Sequence, residues 1–76
     1  MTIVYETWQD KNGIQADIKQ EKYSACFALD VYRSAADGPA LILYHYDLYR
    51  STAAARRAMR RILAAPECTY KRKKGE

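Results

Sequence analysis

Two β-patterned segments at the centre of the chain, residues 23–33 and 40–49, are separated by turn-forming residues at 34–39. β-Branched and aromatic residues favour strands, and an Asp-Gly-Pro run favours a turn between them. Pairing Arg33 with Ala40 places apolar side chains of both strands on one face. That face then holds the pairs Ala25–Leu48, Phe27–Tyr46, Leu29–Tyr44 and Val31–Ile42, and the other holds Cys26–Asp47, Ala28–His45, Asp30–Leu43 and Tyr32–Leu41. The sequence therefore predicts an antiparallel hairpin with one apolar face.

A second hairpin is predicted at the N-terminus. Residues 3–8 are rich in β-branched and aromatic side chains, and residues 14–19 alternate between apolar and polar ones. Between them, Asn12-Gly13 supplies the positive φ angles of a tight turn. The polar run at 19–22 is interpreted as a turn or as the frayed start of the next strand.

The segment after the central hairpin predicts a helix from residue 52 to residue 63 or 65. Ser51 is a good N-cap, the following residues are strong helix formers, and Pro66 ends the helix. At 100° per residue, one stripe holds Ala55, Ala58, Met59 and Ile62, and four arginines occupy the opposite arc.

These elements predict one α+β domain at residues 1–66, in which a sheet of three to four antiparallel strands carries a C-terminal helix on its apolar face. Residues 67–76 are interpreted as a basic C-terminal tail outside the domain. A chain of 76 residues is too short for a second domain. With only one helix available, the other face of the sheet stays uncovered.

Charge is unevenly divided along the chain. Residues 1–38 hold four basic and six acidic side chains, whereas residues 39–76 hold nine basic and three acidic ones. Segregated positive charge attracts phosphates or acidic protein surfaces. The candidate contacts to nucleic acid or to an acidic partner are Arg56, Arg57, Arg60, Arg61, Lys71, Arg72, Lys73 and Lys74.

The uncovered sheet face predicts a protein interface, because aromatic residues are enriched at interface cores. Its candidate contacts are Asp30, Tyr32, Leu41, Leu43, His45, Asp47 and Tyr49. Two occupants are considered for this face: a larger protein, or a second copy of the chain in a homodimer. Asp30 and Asp47 would repel phosphates there, so nucleic acid is assigned to the basic helix and tail instead.

Chemistry-bearing motifs are sparse. The chain has one histidine and lacks phosphate-loop, HExxH and CxxC patterns, so we expect no enzyme, no cofactor and no metal site. Cys26, His45 and Asp47 could ligate zinc, but their spacing matches no ligand motif. Cys26 and Cys68 are expected to be reduced, since the N-terminus does not resemble a signal peptide and no membrane-spanning run occurs. We therefore expect a cytoplasmic protein.

The strand-to-helix passage Tyr49-Arg50-Ser51-Thr52-Ala53-Ala54-Ala55, following three strands, resembles the arm-type DNA-binding domains of tyrosine integrases over residues 3–64. That resemblance implies a sheet in the DNA major groove, but Asp30 and Asp47 stand where basic and polar residues are expected. In size and style the chain is also similar to small phage-encoded inhibitors such as anti-CRISPR proteins. The function expected is a phage or mobile-element binding protein that docks on a larger protein and inhibits or modulates it. Direct DNA or RNA binding is the alternative.

Overall fold

The computed structural model describes residues 2–21, 24–34 and 41–73, without the side chains of 34 and 41–44. Within this part of the chain, five antiparallel strands form one sheet and a single helix packs on one side of it. The elements are β1 (Thr2–Gln9), β2 (Gln15–Glu21), β3 (Phe27–Ser34), β4 (Leu41–Tyr49), α1 (Thr52–Ile62) and β5 (Glu67–Lys71), and the strand order across the sheet is β4-β3-β2-β1-β5. The α+β class is confirmed, whereas the expected three to four strands become five.

The β1–β2 hairpin is closed by Asp10 at the predicted turn. The Asp10 side chain is buried, and its Oδ1 accepts hydrogen bonds from the backbone N–H groups of Asn12 (2.8 Å) and Ile14 (3.0 Å). Gly13 has a φ of 83°, a left-handed conformation that glycine adopts without steric cost. Asp10 Oδ2 also accepts from the N–H of Ala64, just beyond the helix, at 3.4 Å. One carboxylate thus joins the hairpin turn to the end of α1.

The helix begins as predicted and ends one residue earlier than the shorter prediction. Ser51 is the N-cap, and its Oγ accepts from the N–H of Ala54 at 3.1 Å. Leu63 leaves the helix in an extended conformation and is 4% exposed, whereas Ile62, predicted on the apolar stripe, is 40% exposed. The chain therefore closes the core with the residue after the helix. The core comprises Ala16, Ile18, Leu29, Val31, Ala55, Met59 and Leu63.

The predicted register between β3 and β4 is wrong by three residues from Phe27 to Val31 and by two residues beyond a β-bulge. Phe27 pairs with Tyr49 instead of Tyr46, and Val31 pairs with His45. Tyr44 is an extra residue at a β-bulge, so beyond it Tyr32 pairs with Leu43 and Ser34 with Leu41. The odd shift moves the part of β4 from His45 to Tyr49 to the opposite face, whereas the even shift beyond the bulge does not change the face. β4 carries apolar residues at both odd and even positions, and therefore on both of its faces, so its pattern could not exclude the wrong register.

Other differences lie at the ends of the strands. Residues 67–71, expected in a tail, form β5 and pair with β1 at the edge of the sheet. The polar run assigned to a turn instead continues β2 as far as Glu21, and Ala25, expected on the apolar face, lies exposed in a bend before β3. Most of the predicted loop at 34–39 lies outside the described residues. In the described part of the chain no helix has the length and hydropathy of a membrane span.

Candidate functional site

The side of the sheet opposite α1, which we call the open face, is covered by no described element. Cross-strand partners share a face of a sheet, so the pairings place Tyr70, Thr7, Asp17, Asp30 and Tyr46 in one row across all five strands. The next row contains Val4, Lys19, Ala28 and Leu48. The exposed large hydrophobic residues here are Tyr46 (54%), Leu48 (53%) and Tyr70 (44%). The open face therefore presents aromatic and aliphatic surface to solvent.

Two aspartates lie directly opposite each other at the centre of the open face. Asp17 on β2 pairs with Asp30 on β3, an arrangement that destabilises a sheet unless other groups compensate the like charges. Lys19 Nζ binds Asp30 Oδ2 at 2.9 Å, and the Tyr32 hydroxyl donates to Asp17 Oδ2 at 3.1 Å. Asp30 Oδ1 is buried and, among the described residues, has no hydrogen-bond partner. The acidic centre thus places like charges directly opposite each other, against the usual preference of paired strands. Such an exception is more typical of a functional surface than of a structural one.

Burial and neighbouring charge shift the titration of two side chains at this centre. Burial, together with the charges of Asp17 and Asp30, raises the pKa of Tyr32 to about 12. The hydrogen bond to Asp30 raises the pKa of Lys19 more than burial lowers it. Tyr32 therefore stays a neutral donor and Lys19 a cation at physiological pH.

The described open face is acidic overall. Four carboxylates stand against one ammonium group, and by register the charged residues are Asp17, Lys19, Glu21, Asp30 and Glu67. Glu21 and Glu67 lie near its margins and are exposed. An acidic surface with exposed tyrosines complements a basic protein surface and repels a phosphate backbone.

The predicted interface residues divide between the two sides of the sheet. Asp30 and Tyr32 lie on the open face as expected, and Leu41 and Leu43 are placed only by backbone pairing, since their side chains are not described. His45, Asp47 and Tyr49 instead pair with Val31, Leu29 and Phe27 on the helix side, because of the register difference. The Tyr49 hydroxyl lies 3.4 Å from His45 Nε2. The exposed Tyr46, Leu48 and Tyr70 were not predicted; the correct register would have identified the first two.

The four arginines of the helix differ in their surroundings, because Arg56 is paired with a buried carboxylate. Arg56 donates from Nε to Glu6 Oε1 at 3.0 Å and from Nη2 to Glu6 Oε2, while Trp8 Nε1 donates to Glu6 Oε1 at 2.9 Å. The Glu6 side chain is 5% exposed and that of Arg56 is 29% exposed. Burial raises the pKa of Glu6, but the hydrogen bonds from Arg56 and Trp8 and the charges of Arg56 and Lys71 lower it further, so the net shift is downward. The guanidinium of Arg56, predicted as a partner contact, is thus bound to Glu6 within the domain.

The remaining arginines and part of the C-terminal segment form a basic surface on the helix side. Arg57, Arg60 and Arg61 are exposed. The guanidinium carbon of Arg60 lies 5.6 Å from the ring centroid of Trp8, and that of Arg72 lies 5.6 Å from the ring centroid of Tyr5. Of the other predicted contacts, Lys71 lies on exposed β5 and Lys73 follows it, while Lys74 lies outside the described residues.

Side chains that could hold a metal ion are not brought together in the described part of the chain. No cluster of three or more His, Cys, Asp or Glu side chains occurs there, and Cys26 and Cys68 are both free thiols. A cavity of about 280 Å³ is lined by Gln9, Asp10, Lys11, Ala65, Glu67 and Thr69. The Asp10 carboxylate in its wall already accepts three backbone hydrogen bonds.

No family model, curated protein or solved structure matches this chain. The fold and its surfaces define a class only: a small α+β domain whose helix-backed sheet has an acidic aromatic face and a basic opposite side.

Proposed function

We propose that this chain is a small non-enzymatic binding protein, encoded by a phage or mobile element, that docks through its open face on a larger protein. The observation that supports this proposal is the composition of that face: exposed Tyr46 and Leu48 beside the paired aspartates Asp17 and Asp30. Tyrosine is enriched at interface hot spots, and acidic groups around it favour a basic partner. The proposed site of action is the cytoplasm.

The partner chemistry follows from the charge. A basic protein groove that normally holds nucleic acid would accept the acidic centre and offer donors to Asp30. An effector such as a CRISPR nuclease has this property, and occupying its groove would inhibit or modulate it. The basic side of the domain would then face outward, toward nearby phosphate backbone or an acidic patch.

The experiment compares two folded variants in capture from a nuclease-treated bacterial lysate. Tyr46→Thr with Leu48→Thr alters only exposed positions and keeps strand-favouring side chains. The matched control, Arg57→Gln with Arg61→Gln, changes the other side of the molecule. We expect the first variant to lose a basic, nucleic-acid-handling partner that the control retains. Equal capture by both variants would contradict the proposal.

Direct nucleic-acid binding is the second candidate, and it is favoured by the exposed Arg57, Arg60 and Arg61 beside Lys71 and Arg72. The two functions differ in their response to salt. Phosphate contacts release counterions, so affinity falls with a log–log slope of about −0.9 per duplex phosphate neutralised. An interface centred on Tyr46 should depend far less on salt.

A further inference from the structure

We propose that single-stranded nucleic acid binds on the helix side of β1 and β5, along the ledge that these strands form beside α1. This inference rests on the second candidate function and names its site and substrate class. The ledge is defined by Tyr5, Trp8, Arg60, Lys71 and Arg72.

The ledge exists because the helix is narrower than the sheet. α1 packs mainly against β2, β3 and β4, whereas β1 and β5 extend the sheet beyond it. At the usual strand spacing, two strands make a floor about 10 Å wide. The floor is fixed to the helix by the ion pair between Arg56 and Glu6, which leaves Arg60, one turn further along, over the ring of Trp8.

Two arginine–aromatic pairs lie along this floor. Arg60 covers Trp8 and Arg72 covers Tyr5, each with 5.6 Å between guanidinium carbon and ring centroid. Trp8 packs against the core and Tyr5 contacts the Phe27 ring edge-on, yet both residues are only half-buried, so neither is fully enclosed. A strand rises about 3.3 Å per residue, so the three-residue step from Tyr5 to Trp8 places the two pairs about 10 Å apart along β1. Guanidinium planes and aromatic rings are the groups on which unpaired bases stack.

The charge on the ledge suits a phosphate backbone. Arg60, Lys71 and Arg72 contribute three cations, and Arg57 adds a fourth on the exposed flank of the helix. The nearby carboxylate of Glu6 is 5% exposed and already bonded to Arg56 and Trp8, so it opposes an anion weakly. With about four phosphates contacted, the log–log salt slope should be about −3 for a single strand.

A single strand fits these features better than a duplex. In a duplex the base faces are stacked on one another, so the two arginine–aromatic pairs could meet only the backbone. In a single strand the bases are free to stack while phosphates reach the surrounding cations. The ledge therefore favours single strands over duplexes of the same length.

Trp8 is the only tryptophan in the chain, so its fluorescence reports directly on the proposed site. The wild-type protein is titrated with oligothymidylate, oligouridylate and a duplex, each of about 12 nucleotides, and with inorganic polyphosphate. We expect the two single strands to bind more tightly than the duplex and to change Trp8 emission. Polyphosphate should bind without that change, since it has no bases.

Arg60→Ala is compared with Arg61→Ala, its matched control. Both arginines are exposed in the last turn of α1, so both variants lose the same charge and the same favourable interaction with the helix dipole. Of these two arginines, only Arg60 lies over the Trp8 ring, so its loss should weaken oligothymidylate binding at least about fivefold more than loss of Arg61. Arg60→Lys keeps the charge without the planar group and should also bind more weakly than Arg61→Lys. Circular dichroism verifies that every variant is folded.

Four results would overturn the inference. Tighter or equal binding of the duplex would exclude the single-strand preference while leaving direct nucleic-acid binding intact. Equal losses for Arg60→Ala and Arg61→Ala would place the site elsewhere. The same Trp8 response to polyphosphate would exclude base stacking. Binding to none of these probes would refute both this inference and the second candidate function.

Discussion

Replacing Arg56 with methionine should destabilise the protein more than replacing its partner Glu6 with glutamine. The asymmetry comes from burial, because the Glu6 side chain is 5% exposed and the Arg56 side chain 29% exposed. Without Arg56 a buried carboxylate keeps only the hydrogen bond from Trp8 Nε1. Without the charge on Glu6, the guanidinium can still be hydrated and the glutamine oxygen can still accept a hydrogen bond.

The magnitudes follow from what each variant leaves unpaired. Breaking a buried ion pair and leaving one charge behind costs about 3–5 kcal/mol. Glu6→Gln replaces charged hydrogen bonds by neutral ones and should cost about 1–2 kcal/mol. A chain of 76 residues has a total stability of about 4–11 kcal/mol. Arg56→Met should therefore remove about a quarter of it or more, whereas Glu6→Gln should leave the protein folded.

The pH dependence gives an independent check. The folded-state pKa of Glu6 lies below its ordinary value, since bonds from Arg56 and Trp8 outweigh the opposing effect of burial. Its contribution to stability is therefore present above the unfolded pKa, about 4.3, and is lost as the pH falls through the folded pKa. In Arg56→Met the buried carboxyl should take up a proton more readily. The stability deficit of that variant relative to wild type should shrink between about pH 7 and pH 4.

Urea unfolding followed by circular dichroism measures the stability loss of Arg56→Met, the loss of Glu6→Gln and the change of the Arg56→Met deficit with pH. Arg57→Met is the control, because Arg57 is exposed on the same helix and its removal should change stability by less than about 0.5 kcal/mol. The double variant Glu6→Gln with Arg56→Met should recover part of the loss, since no buried charge then remains. If Arg56→Met were no more destabilised than Glu6→Gln or Arg57→Met, the ion pair would not anchor the helix to β1.

Three further predictions concern the core, the hairpin turn and the sheet edge. Met59→Ala removes a side chain with no exposed surface and should lower the free energy of unfolding by about 2–5 kcal/mol in urea titration; a loss under about 1 kcal/mol would contradict its placement. Asp10→Ala should cost about 1–3 kcal/mol at neutral pH. Burial raises the pKa of Asp10, but three backbone hydrogen bonds and the charge of Lys11 lower it further, so the net shift is downward. The cost of Asp10→Ala should therefore diminish as the pH falls through the folded pKa of Asp10. A cost that does not change with pH would refute the role of the ionised carboxylate as the hydrogen-bond acceptor of the turn. Asp47 Oδ1 accepts a hydrogen bond from the N–H of Leu48 at 2.8 Å on the edge strand β4. Asp47→Ala should free this backbone donor and cause concentration-dependent association, measured by analytical ultracentrifugation. A variant that stays wholly monomeric would disprove this prediction.

The elements that local sequence specifies were predicted well. Ser51 and the run of helix formers set the start and type of the helix, because capping and intrinsic propensity act within a few residues. Asn12-Gly13 marked the first turn for a similar reason, as its backbone conformation depends on those residues themselves. The alternation in β2 placed Ala16 and Ile18 on the side that became the core.

Prediction from the sequence failed for the strands whose pairing depends on backbone hydrogen bonds and not on a side-chain pattern. β5 has only exposed side chains, so it carries no apolar pattern, and its hydrogen bonds to β1 attach a segment that resembles a tail. β4 has apolar residues at both parities, so only its pairing with β3 decided that Tyr46 and Leu48 face outward. An uncovered sheet face could be predicted, but most of its exposed residues could not, and its role as a protein interface stays a prediction.

Arg56 and Arg57 show this division most clearly. They are adjacent, chemically identical and equally placed in any pattern of charge, so the sequence by itself determined only that the helix has a basic arc. The tertiary structure decided that Arg56 meets the buried carboxylate of Glu6, fifty positions away, while Arg57 remains exposed. The physical reason is that a step of one residue turns a helix by about 100°, and what each side chain then meets depends on which strand lies beside it.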